Sequence, residues 1–133
     1  MKDRLMIVVA VFGMMIFIIN AIANFHDWYR TVIYFDKWMH VAGGAFVLLT
    51  LAAFSRRIFP KATLIQLTAL VFVVGFLWEV YEFAIQALTG VTLATIPDSI
   101  EDLVADMVGA IVVVIILFFV QRRKKRYNTP NAN

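Results

Sequence analysis

The sequence predicts an all-α integral-membrane four-helix bundle, and three observations carry that prediction. Of its 133 residues 62% are hydrophobic and only 16% charged, whereas a soluble domain has about 45–50% apolar and about 25% charged residues. Four apolar runs are each long enough for a bilayer, which takes about 20 helical residues. The basic residues sit in short clusters between those runs instead of over a surface, so the net charge of +3 does not indicate a nucleic-acid partner. Length allows a single transmembrane domain over 1–133. With no cysteine in the chain, disulfides, thiolate metal sites and thiol nucleophiles are excluded.

The expected spans are residues 5–23, 35–54, 64–88 and 100–121, with a basic tail over 122–133. Helices are required because an open strand would leave its backbone polar groups unsatisfied in lipid. The first span carries no charge. Its basic start and its Ala21-Ile22-Ala23 end also resemble a cleavable signal segment, and we read it as a retained span. Asn24–Tyr34, with His26, Trp28, Tyr29 and Tyr34, is expected to be a loop whose aromatics lie at headgroup level. Ser55–Thr63 is expected to be a turn broken by Pro60. Thr89–Ser99 is a second loop, in which Pro97-Asp98-Ser99 suits the start of a helix.

Orientation follows from Lys and Arg. Lys2, Arg4, Arg56, Arg57, Lys61 and the run Arg122–Arg126 fall on one side, and only Arg30 and Lys37 on the other. The positive-inside rule places both termini in the cytoplasm of a cell inner (plasma) membrane. The basic tail is explained by attraction to anionic lipid.

The acidic residues have the opposite distribution. Asp3 alone is on the basic side; Asp36, Glu79, Glu82, Asp98, Glu101, Asp102 and Asp106 gather with Asp27 in the other half. At 1.5 Å per residue, His40, Glu79, Glu82 and Asp106 come to roughly 5–15 Å below the external surface. Asp36 and His40 are four residues apart, Glu79 and Glu82 three, and Asp102 and Asp106 four, so each pair shares a helix face. Asn20 and Asn24 add a fourth pair, and Gln86 continues the glutamate face. A carboxylate at the bilayer centre costs about 2.5–3.5 kcal/mol even on the lenient insertion scale, so these groups should face the bundle interior. Five clustered carboxylates cannot all stay ionised without a positive partner: a bound metal, retained protons or a cationic ligand.

The metal reading names Asp36, His40, Glu79, Glu82, Asp102 and Asp106 as candidate ligands. Such a hard, oxygen-rich set suits a divalent ion such as Mg²⁺, Mn²⁺ or Ca²⁺, with Zn²⁺ reachable through His40. The Glu-x-x-His pairs of di-iron bundles are absent. So are a nucleophile motif, a phosphate-binding glycine loop, a haem motif and a nucleotide fingerprint.

Asp36 to Gly44 can be laid over Asp102 to Ala110. Both read acid, three residues, a ligand-type residue, two residues and a small pair, which suggests two related helical hairpins meeting at a site. At the same residues the chain resembles the VanZ-like and YjdF-type membrane proteins. The resemblance covers about residues 35–115: Asp36-Lys37 with His40, Gly75 with Trp78-Glu79 and Glu82, and Asp102, Asp106 and Gly109. Where VanZ-like proteins more usually have asparagine this chain has Asp106, so the YjdF-type pattern fits better. The resemblance implies a cell-envelope role. A fainter similarity, to small membrane diacylglycerol and undecaprenol kinases, runs through Glu79, Glu82 and Ala105-Asp106-Met107. Those enzymes use ATP on the cytoplasmic side, opposite to where the charge rule puts these acids.

Three functional readings follow. The first is a cation-binding membrane protein acting on a lipid or lipid-linked headgroup, with membrane lipids as its partners and no nucleic acid. The second is a cation or proton transport component, which would need a homo-oligomer because the other half of each span is almost wholly apolar. The third is a non-catalytic membrane subunit whose acids meet a protein partner. Neither the reaction nor catalytic residues can be named.

Overall fold

The computed structural model describes residues 2–58 and 61–128, with side chains over 4–54 and 61–123. Helices α1 (Lys2–Phe25), α3 (Phe35–Ile58), α4 (Leu64–Thr89) and α5 (Ile96–Asn128) are long, and α2 (Trp28–Thr31) is a single turn. Each long helix contains a segment of 20 to 28 residues apolar enough to cross a membrane. No strand occurs among the described residues. The fold is a helical membrane bundle.

Local chemistry sets several of the ends. Thr63 and Gln66 form a reciprocal capping box at the start of α4, satisfying donors that the first turn would otherwise leave bare. The same helix stops at Gly90, whose left-handed backbone (φ 72°) is strain-free only without a Cβ. Gln86 then accepts from the backbone N–H groups of Leu93 and Ala94 at 2.8 and 3.1 Å, folding the α4–α5 connection back onto α4. The α1–α3 connection carries two non-glycine residues with positive φ, Asp27 and Tyr34, one on each side of α2.

The elements run longer than the sequence indicated. α3 continues through Ile58, so the first part of the expected Ser55–Thr63 turn is helical, while Pro60 lies outside the described residues. α5 starts at Ile96, with Pro97 in its first turn, where the missing N–H of proline costs no hydrogen bond. It runs on to Asn128, so the basic stretch continues the helix; residues 129–133 lie outside the described ones.

Packing is uneven. α3 and α5 form the closest pair, and α4 lies against both. A Cβ on Gly44 would collide with the Asp106 backbone, and one on Gly109 with the Val41 carbonyl. These two glycines let α3 and α5 approach backbone to backbone, as small residues do where lipid supplies no hydrophobic drive. Below them Leu48, Leu67, Val71, Ala110 and Val113 form the apolar core. α1 is peripheral: it packs on α3, with Phe12 edge-on to Phe46 and Gly13 against the Phe46 ring. It reaches α2, but neither α4 nor α5 among the described residues.

Candidate acidic site at one end of the bundle

The close α3–α5 contact decides which acids meet. Both helices start at the same end, so Asp36 and His40 of α3 face Asp102 and Asp106 of α5. Lys37 Nζ bonds Asp102 at 2.7 Å and Asp98 at 2.5 Å, with Glu101 at 3.8 Å. The Asp102 side chain is 2% exposed, and a carboxylate so placed demands a cation or several donors. Lys37 supplies that charge and ties the first turns of α3 and α5 together.

His40 occupies the centre. Its Nε2 lies 3.8 Å from Asp36 and 3.7 Å from Asp102, and its Nδ1 3.4 Å from Asp106. One ring edge therefore faces two carboxylates and the other edge a third. Asp36, His40 and Asp102 each offer a ligand atom, all within 4.8 Å of one another. The second Asp106 oxygen rests against Gly75 of α4, where a Cβ would displace it. Asp106 is thus the point at which α3, α4 and α5 converge.

Glu79 lies one turn beyond Gly75 on the stripe Leu67, Val71, Gly75, Glu79 that α4 buries. It is 4% exposed, and neither carboxylate oxygen has a hydrogen-bond partner among the described residues. Burying such a group unpaired is costly enough that native proteins rarely do it. Glu82, one turn further on, accepts from Trp78 Nε1 at 2.8 Å and lies within electrostatic reach of Glu79, Asp36 and His40. Above them the Tyr29 hydroxyl donates to Asn20 Oδ1 at 2.7 Å, and Asn24 donates to the same oxygen at 3.0 Å. Burial raises the Tyr29 phenol above its ordinary value, and the charges of Asp36 and Glu82 add to the effect.

All six residues singled out in the sequence lie at this end, in different roles. Asp36, His40 and Asp102 are drawn together, Asp106 stands at the far edge of the imidazole, and Glu79 is buried without a partner. Glu82 is at the rim. Sequence reasoning treated Lys37 as a bystander and Asp98 as a helix-start acid, yet the two form an ion pair. Their signal was a lone basic residue in an acidic half. Trp78, read as packing, holds Glu82. Tyr29 could not have been chosen among several loop aromatics, because α2 determines which one points inwards.

Residues 4–123 match the family described as Predicted membrane protein (DUF2238). The chain belongs to this family. No curated protein matches it, and no solved structure does.

Proposed function

We propose that this DUF2238 protein binds a divalent cation through Asp36, His40 and Asp102, at the extracytoplasmic end of a bundle whose termini both face the cytoplasm. Glu79 completes the anionic surroundings. The unpartnered Glu79 carboxylate is the observation that carries the reading, because it is a buried negative group for which the described residues supply no charge. His40 is well placed as a ligand. Its Nε2 faces the two carboxylate ligands, while Asp106 at Nδ1 orients the ring, as a carboxylate behind a ligating histidine commonly does. Asp106 is therefore an orienting residue in this reading, not a ligand. The donor set is hard and mixed O/N, fitting Mg²⁺, Mn²⁺ or Ca²⁺, with Zn²⁺ favoured if nitrogen dominates. The chain's likeness to VanZ-like and YjdF-type proteins supports a cell-envelope role at a lipid or lipid-linked headgroup.

One observation favours a second reading. His40 stands among three carboxylates, so an imidazolium could supply positive charge with no metal, as a proton relay would require. That arrangement leaves Glu79 unserved, which is why the cation ranks first.

Elemental analysis of the purified protein in detergent, with Glu79→Gln and His40→Gln alongside, separates the two. The expected result is stoichiometric divalent metal in the wild type, lost from both variants while helical content is kept. The wild type should gain about 2.7 kcal/mol of stability at a metal concentration one hundred times the dissociation constant. A metal-free wild type whose melting does not respond to Mg²⁺, Mn²⁺, Ca²⁺ or Zn²⁺ would overturn the cation and leave the imidazolium.

A further inference from the structure

The site has a side door. α1 packs on α3 and reaches α2, but among the described residues it touches neither α4 nor α5, so the flank of α3 between α1 and α4 is uncovered. At the site end this gap has a polar rim: Asn20 on α1, Tyr29 on α2, Asp36 on α3 and Glu82 on α4. Tyr29 lies within electrostatic reach of both Asp36 and Glu82, and its hydroxyl is held by Asn20. On α4, Glu82 and Trp78 are turned about 60° and about 100° from the buried Glu79, both the same way round the helix. Trp78 is half-exposed and joined to Glu82. Glu82 lies seven residues before the end of α4 at Thr89, about 10 Å into the span. A molecule using this gap meets carboxylates while its remainder is among acyl chains.

The chemistry of the ligand follows from coordination. Asp36, His40 and Asp102 offer three donors, with Glu79 beside them, whereas hard divalent ions take six or more, and Mg²⁺ habitually fills the remainder with water and substrate phosphate. The acids by themselves would repel an anionic headgroup, so a phosphate is acceptable only on the cation. We infer that the gap between α1 and α4 admits, sideways from the bilayer, an amphiphile whose phosphate headgroup completes the coordination of the bound cation. This inference rests on the cation site proposed above.

Bromolipid quenching tests it. Trp28→Phe and Trp38→Phe in the full chain leave Trp78 as the single tryptophan, at the threshold of the gap. The protein is placed in nanodiscs of phosphatidylcholine with Mn²⁺ or Mg²⁺ and an equal mole fraction of either chain-brominated phosphatidic acid or chain-brominated phosphatidylcholine. Several-fold stronger quenching by the phosphatidic acid is expected, abolished by chelation and by Glu79→Gln. Chelation needs no further substitution, so that arm is independent of how the variant folds. Equal quenching by both lipids in protein that elemental analysis shows to be metal-loaded would overturn the lipid inference and leave the cation site standing. A preference that survives chelation would overturn it too, since the headgroup would then be held without metal. Shielding of Trp78 from both lipids, with crosslinking between chains, would put a second copy in the gap and overturn it. Metal-free protein would remove both proposals together.

Discussion

The two ends of the bundle are built on different physics. Towards the α3–α4 connection the helices meet through Leu48, Leu67, Val71, Ala110 and Val113, side chains no more apolar than the lipid they exclude. Such contacts gain only packing, because lipid supplies no hydrophobic drive for helices to associate. At the opposite end the same helices meet through Lys37, His40, Asp102 and Asp106, where the interactions are long-ranged and every unpaired member is costly. Gly44 and Gly109 mark the border, and they allow the approach on which both ends depend. The lesson is that the apolar end tolerates loss gradually, whereas the polar end is held by a few pairings that cannot be removed one at a time.

The most severe test of that contrast is Lys37→Met. It strands the Asp102 carboxylate and should cost about 3–5 kcal/mol, as breaking a buried pair from one side typically does. Adding Asp102→Asn should restore much of the loss, which unfolding of the single and double variants in bicelles would show. Failure of the double variant to recover would mean that Lys37 serves Asp98 more than Asp102. At the apolar end Leu48→Ala should cost about 2 kcal/mol, the low end of the large-to-small range, because the membrane removes the transfer contribution and leaves the cavity. The same melts check it, and a cost equal to that of Lys37→Met would erase the distinction between the ends. The smallest effect belongs to the boundary of α4. Thr63→Ala removes the capping box and should cost about 1 kcal/mol, measured as a drop in melting temperature with metal content unchanged.

The peripheral position of α1 sharpens the contrast further. Two of its side chains matter to the site, Asn20 and, through it, Asn24, while the rest of the helix meets the core only along α3. A helix so lightly attached leaves a flank open, which a closed four-helix ring would not.

Much of this was legible in the chain itself. Span number and the grouping of acids at one level follow from hydropathy and from the rise of a helix, because lipid permits no other backbone arrangement. Asp36 with His40 and Asp102 with Asp106 could be paired within their own helices by spacing alone. Spacing could not say that Asp102 would sit beside His40, since that depends on the crossing of α3 and α5, which Gly44 and Gly109 set by letting two backbones touch. Nor could it show that Lys37 is committed to Asp98 and Asp102, that Glu79 is left unpaired, or that α1 stands apart from α4 and α5. Periodicity fixes what lies on one helix face; which faces meet is decided by the close fit of small residues and by charge pairing across helices, and both exist only once the helices are packed.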